Sequence, residues 1–365
     1  YIAYEMCQRG IQQLRRDELI TLLEGVRRDY PNIRIIQGRS PEQFLALLEA
    51  RTGLIVEVGE QRHNGQMLAV YEFRHLTFQE YLAGLALVEG HFPDYDASIS
   101  LAKRIAPLAG QVVESKNEEL EVTENWREAL RLCLACCNDE HVDDVLLAIL
   151  HPIEGEDEIK IQKPRAALAL LCLADEPNVS DEVANDVITT FVKTLNGADG
   201  EGHHRTNAHI AAEELAASYW KEKLNTYLIS EFSRPNNSSR NDIGDFVSNF
   251  LLPELNVGES VGRAWLDQQM TKLQGGSVVS IRAALTIKGV IELENIDVPI
   301  TDGLVEVLLS LIGTTDAHSY AASVVLYQLF FEKEWPLKEN ELDKLVGLLG
   351  HKTLDEDALT CIIIV

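Results

Sequence analysis

YEFRHLTFQEYLAG, from Tyr71 to Gly84, is the stretch from which the rest of this chain is read. Tyr71 and Phe73 alternate with Glu72 and Arg74, the period-two pattern of a half-buried strand end. Thr77-Phe78-Gln79-Glu80 then has the S/T-x-x-E form of a capping box. In such a box Thr77 accepts from the backbone N–H three residues on, and Glu80 reaches back to the Thr77 N–H. Phe78, Tyr81, Leu82 and Leu85 recur at i, i+3, i+4 and i+7. That spacing predicts a helix to about Gly90 with these four on its apolar face. A strand stops, His75 stands in the turn, and a capped helix starts. Taken alone, a histidine at such a junction is ordinarily a capping or packing residue, and only its surroundings argue for more.

Upstream, residues 1–10 read as the tail of a helix, and Asp17 to Asp29 as an amphipathic helix ended by Tyr30-Pro31. Ser40-Pro41-Glu42 opens another, with serine as N-cap and proline at the first helical position. Phe44, Leu47 and Leu48 form its expected buried stripe, and Gly53 ends it. Leu54–Val58 predicts a strand, Gly59–Gly65 a polar loop holding the hairpin signal Asn64-Gly65, and Met67–Phe73 the returning strand. Helix, helix, hairpin, helix is a winged-helix layout over residues 1–90. A winged helix can read DNA, but this wing is short and its surroundings are not strongly basic. The protein-binding or nucleotide-switch version is preferred.

The stretch around His75 also resembles a family. The pattern F-x-H-x-(T/S)-F-Q-E-(Y/F)-hydrophobic-A closes the winged-helix part of NACHT-type STAND NTPases, the nucleotide-operated switches of bacterial defence proteins and animal inflammasome receptors. Phe73, His75, Thr77, Phe78, Gln79, Glu80, Tyr81 and Ala83 match it. Arg51-Thr52-Gly53-Leu54-Ile55-Val56 looks like the family's strand leading into the wing. The resemblance covers about residues 1–90, a quarter of the chain. It implies that His75 contacts the β-phosphate of bound ADP and locks a resting state. It also implies ADP or ATP with Mg²⁺ bound by the parent protein, a P-loop NTPase core of the same chain, and an oligomer on activation.

Composition sets wider bounds. A chain of 365 residues with 46% hydrophobic content can bury a sizeable core, and it has no run long enough for a membrane span. The balance of 32 basic to 58 acidic residues, net −26, argues against a nucleic-acid surface and against docking on anionic lipid. It is compatible with a solvated surface or with a basic partner protein. Six cysteines fit a reducing cytoplasm. Cys133, Cys136 and Cys137 look like a zinc half-site, but they sit in an apolar run with no second half and read as packed thiols. Tyr1 at the start and CIIIV at the end are the marks of a fragment, and further repeats or a sensor domain are expected after Val365.

Beyond Gly90 strand signals disappear, and residues 91–122 read as a connecting helical segment. From Thr123 onward helices come in pairs. The first helices align as RAALALLCLAD from Arg165, HIAAEELAAS from His209, RAALTIKGVIE from Arg282, SYAASVVLYQLF from Ser319 and EDALTCIIIV from Glu356. DIGDFVSNFLL from Asp242 fits more loosely. Their starts step by about 35–45 residues, the range of HEAT and armadillo units. Second helices begin near Glu182, Lys221, Val261, Ile300 and Glu339. An earlier pair starts at Asn125 and Asp139, with Trp126 packing at its entry. Small residues let paired helices approach, while Leu, Ile and Val fill the layers between pairs. The expected fold is therefore mainly α: a winged-helix domain, then an α-solenoid over 123–365 that carries a protein ligand.

No Walker A sequence occurs; Gly347 to Thr353 comes nearest and fails, with a residue inserted before Lys352. No nucleophile or metalloprotease constellation is present. The Gly/Asp-rich loop Leu195 to His204 lacks a calcium-loop register, and His203, His204 and His209 read as a solvated turn. Arg234 to Asn241 is a loop of turn formers. Acidic pairs such as Asp143-Asp144 and Glu118-Glu119 read as solvated faces. The expected role is regulatory and non-catalytic, in a cytoplasmic defence switch. The alternative is a constitutive helical-repeat scaffold without nucleotide control.

Overall fold

The computed structural model describes residues 1–114, 120–195, 207–232, 263–292, 301–332, 335–336 and 338–348. Among them the chain is mainly helical, with seventeen α-helices and two small antiparallel sheets. No helix is long and apolar enough to cross a membrane. The expected helices at Asp242 and Glu356 lie outside the described residues, as do the loop 234–241 and all but the first residue of the loop 195–204.

The first ninety residues fold as α1 (Ile2–Gln8), β1 (Gln13–Arg15), α2 (Arg16–Asp29), α3 (Arg34–Gln37), α4 (Pro41–Arg51), β2 (Ile55–His63), β3 (Gln66–Phe73) and α5 (Leu76–Glu89). The sheet order is β1-β3-β2, so β3 is central. The predicted hairpin is there, but its loop is shorter than expected. The strands run to His63 and from Gln66, leaving only Asn64 and Gly65 in the turn, at φ 48° and 81°. Asn-Gly suits that conformation because both central residues need positive φ. β1, which pairs Leu14 with Tyr71, was not anticipated; three residues are too few to show a period.

Two sequence expectations fail at helix starts and faces. The capping box at Thr77 is not formed. α5 begins at Leu76 with His75 as N-cap and no side-chain cap bond, so Thr77 lies inside the helix. The ladder holds the chain one residue past β3, since the Arg74 N–H donates to the Leu54 carbonyl at 2.8 Å. Only His75 is then left to turn into the helix. A reciprocal box does form at Ser40: its Oγ accepts from the Gln43 N–H at 3.3 Å, and its own N–H donates to Gln43 Oε1 at 3.1 Å. In α4 the buried residues are Pro41 and Leu45, with Phe44, Leu47 and Leu48 half-buried.

The segment 91–122 holds α6 (Leu101–Ala109) and a hairpin of β4 (Val112–Glu114) and β5 (Leu120–Val122), where only helix was expected. Helices follow as α7 (Glu124–Cys136), α8 (Asp139–Leu150), α9 (Glu158–Ala174), α10 (Asp181–Thr194) and α11 (Asn207–Ala216). Alternate members stack: α5 on α7, α7 on α9, α9 on α11, and α6 on α8. Trp126 is wholly buried and meets Tyr4 edge-on at 5.5 Å. Asp143 is half-buried rather than solvated, because its Oδ1 accepts from the Ser180 N–H at 2.9 Å.

The chain divides into two compact units, Tyr1–Phe191 with Gly202–Tyr219, and Val192–Glu201 with Trp220–Val365. In the second, α12 (Lys221–Phe232), α13 (Arg263–Leu273), α14 (Ser277–Glu292), α15 (Asp302–Leu311), α16 (Asp316–Tyr327) and α17 (Glu339–Leu348) are described. There α14 packs on α16 and α15 on α17, again alternate helices.

Candidate functional site at the start of α5

The motif from Phe73 to Gly84 is split by the fold into an inward half and an outward half. Phe73 ends the central strand, is buried, and pairs with Ile55. Gln79, at the next inward position, donates from Nε2 to the Ile11 carbonyl at 3.1 Å and to Cys7 Sγ at 3.8 Å, pinning α5 to the end of α1. Glu80 is 8% exposed, on a helix that packs against α7. Ala83 is buried, and a Cβ at Gly84 would lie 2.6 Å from the Ala129 carbonyl oxygen and 2.8 Å from the Cys133 nitrogen. Those two small residues let α5 sit on the backbone of α7.

The outward half is His75, Leu76, Thr77, Phe78 and Tyr81. Phe78 is 38% and Tyr81 43% exposed, so neither belongs to the buried face that helical periodicity assigned to them. Leu82 and Leu85 are half-buried. The true inner face is Gln79, Glu80, Ala83, Gly84, Ala86 and Leu87, because α1 and α7 cover that side. His75 is exposed, with an extended backbone at φ −135° and ψ 138°. Its ring meets Phe78 edge-on at 5.5 Å, which fixes its direction without spending a ring nitrogen. Arg74 beside it is also exposed, its guanidinium 3.4 Å from where a Gly53 Cβ would stand.

Chemically this is a donor-rich corner. The His75 imidazole and the Thr77 hydroxyl belong to the start of a 14-residue helix whose first turn holds no acidic residue. The unbonded N–H groups of a helix start and its dipole favour an anion there. A phosphate group is one anion that such a helix start suits, and His75 and Thr77 are the side chains at that start that would hold it.

Behind the motif lies an apolar cleft of about 310 Å³. Leu23, Ile36, Phe44, Leu48, Phe73 and Leu82 line it, with Thr52, Glu89 and His91 among its polar lining. His75 is not part of that cleft.

Electrostatics separate the halves. Burial pushes the Glu80 carboxyl above the usual range, and Glu128 and Glu124 on α7 push the same way, with Arg127 opposing them. Burial pushes the Cys7 thiol up to about 11, against the Gln79 donation that lowers it. Burial likewise raises Cys133, Cys136, Cys137 and Cys172, which keeps these thiols protonated. No cluster of three or more metal-ligating side chains occurs among the described residues.

A residue that sequence reading missed is Arg165. It is wholly buried, and it donates from Nη1 to the Ala148 and Ile149 carbonyls at 3.1 Å each. From Nη2 it donates to the Ala106 carbonyl at 2.6 Å and to Glu156 at 2.7 and 2.8 Å. One guanidinium thus joins α6, α8 and α9. The signal for it was a lone arginine ahead of a wholly apolar run.

No family model, curated protein or solved structure matches this chain.

Proposed function

We propose that this chain is the regulatory half of a NACHT-type, nucleotide-operated switch, with His75 contacting the β-phosphate of ADP in the resting state. The observation that carries the reading is the division of the motif. His75, Thr77, Phe78 and Tyr81 are exposed although the fold buries Phe73, Gln79, Glu80 and Ala83 from the same fourteen residues. A purely structural motif would leave no reason to hold an exposed histidine against an exposed phenylalanine.

Several features support the finer parts of this reading. The order helix, strand, helix, helix, hairpin, helix with sheet order β1-β3-β2 supports a winged helix over residues 1–90. Alternate-helix stacking within each unit supports a HEAT-like solenoid after it. A stacked array offers a long surface whose outer residues vary without disturbing the core, which suits recognition of a protein trigger. The nucleotide with its Mg²⁺ belongs to a P-loop core of the same polypeptide, and the switch oligomerises when released. All described cysteines are free, in keeping with a cytoplasmic setting.

The test is the nucleotide content of the intact protein as purified, wild type beside His75→Ala. The protein is denatured and the supernatant resolved by ion exchange. ADP retained by the wild type and lost from the variant is the expected outcome. Equal ADP in both removes His75 from the site, and no nucleotide in either returns the chain to a constitutive scaffold.

A further inference from the structure

The cleft behind the motif has apolar walls and one charged edge. On α5, Leu82, Leu85, Ala86 and Glu89 recur at i, i+3, i+4 and i+7, and all four line it. Phe44 and Leu48, one turn apart on α4, and Phe73 at the end of β3 line it too. Leu82, Leu85, Phe44 and Leu48 are each half-buried, so the apolar surface they turn to the cleft is left unfilled by the fold. At about 310 Å³ the space falls within the range of small-molecule pockets, about 300–1,000 Å³. A hollow lined by hydrocarbon leaves its walls short of dispersion contacts and offers water few hydrogen-bond partners. An apolar molecule of matching size answers both deficits.

The polar lining decides what else that molecule carries. The Thr52 hydroxyl is already used twice: it donates to the Leu48 carbonyl at 2.7 Å and accepts from the Leu54 N–H at 3.2 Å. Glu89 and His91 are exposed and stand at the end of α5. There Gly90, at φ 73° and ψ 29°, turns the chain back, and the His91 N–H donates to the Ala86 carbonyl at 2.8 Å. A Cβ at Gly90 would fall 2.5 Å from the Tyr95 ring, so this turn needs glycine for space as well as for conformation. The turn sets His91 Nδ1 3.0 Å from Glu89 Oε2, and the Tyr30 ring meets His91 edge-on at 5.7 Å. His91 takes one carboxylate oxygen, whereas a carboxylate accepts at two. Among the described residues the lining has Glu89 as its one acid, and no lysine or arginine.

We infer that this cleft binds a small molecule with a hydrocarbon body and a protonated amine at one end, the body against the α4 and α5 side chains and the ammonium on Glu89. A carboxylate head, as on a fatty acid, would set like charge against Glu89, and a neutral alcohol would forgo the charge-assisted hydrogen bond. The site goes beyond the proposed switch and does not rest on it, since His75 stands outside the cleft.

The experiment is isothermal titration of the whole chain with n-octylamine, 1-octanol and octanoate, each below the concentration at which it self-associates. Salt at about 0.15 M shortens the screening length to about 8 Å, which suppresses the general pull of the net −26 charge on a cation. Octylamine is expected to saturate a single site, about tenfold or more tighter than octanol, with octanoate weakest. Glu89→Gln is expected to lower octylamine to the affinity of octanol and to leave octanol unchanged. Leu48→Trp, which fills the cleft, is expected to weaken amine and alcohol alike. Unchanged octylamine binding in Glu89→Gln, or octanoate bound as tightly as the amine, would overturn the assignment of the ammonium to Glu89. Octylamine that never saturates, or that binds a folded Leu48→Trp chain as it binds the wild type, would overturn the site itself. If Leu48→Trp does not fold, Glu89→Gln decides alone, because it changes an exposed side chain and leaves the apolar walls intact.

Discussion

Arg165 is the residue on which the first unit's helix stack most visibly depends. Its guanidinium is divided among three backbone carbonyls and the Glu156 carboxylate, whose side chain is only 16% exposed. Removing one partner of a buried ion pair strands the other charge, which costs about 3–5 kcal/mol. Arg165→Met should therefore lower the urea midpoint by that equivalent, and an unchanged midpoint would dismiss the tie. Gly110 belongs to the same arrangement: a Cβ there would fall 1.8 Å from Glu156 Oε1, so only glycine leaves room for the pair. In RAALALLCLAD the letters show a lone arginine ahead of an apolar run, and only the approach of α6 and α8 makes it a buried link.

Among elements, α4 and α5 show how the same rule of helix starts succeeds and fails. Ser40 bonds the Gln43 N–H, so Ser40→Ala should cost about 1 kcal/mol. Thr77 lies past the N-cap, so Thr77→Ala should fall within about 0.5 kcal/mol of the wild type. Thermal melts of the two variants side by side check both, and a larger loss at Thr77 would restore the box there. Both sites satisfy the S/T-x-x-E/Q pattern. What differs is the segment before them: a free turn precedes Ser40, whereas β3 delivers the chain to Thr77 from a fixed ladder position. The face of α5 was misread for a related reason. Periodicity at Phe78, Tyr81, Leu82 and Leu85 correctly announces a helix, but the buried side is the one that α1 and α7 cover, and it includes Gln79 and Glu80.

At the scale of the molecule, charge is unevenly distributed along the chain. Residues 1–90 hold ten arginines, no lysine and twelve acids, leaving 46 acids against 22 bases beyond them. Self-repulsion of that excess opposes the compact state. Raising salt from about 0.01 M to about 0.15 M shortens the screening length from roughly 30 to 8 Å. The melting temperature of the whole chain is therefore expected to rise over that range. A flat or falling response would mean that local ion pairs, such as Arg131 with Asp175 and Glu214, outweigh the net charge.

The letters alone determined what depends on a few neighbours: helical against extended period, the Asn64-Gly65 turn, the Ser40 cap and the apolar anchor at Trp126. Each is decided by backbone conformation within a turn or two, so a short window contains its cause. Tertiary structure alone decided which face of α5 is inside, that Gln13–Arg15 joins the sheet, and that β4 and β5 interrupt the helices. It also decided that Glu80 and Arg165 are buried while His75, Phe78 and Tyr81 are not. Burial is a property of what packs against a residue, and the helices that cover these come from dozens of residues away, beyond the reach of any local pattern.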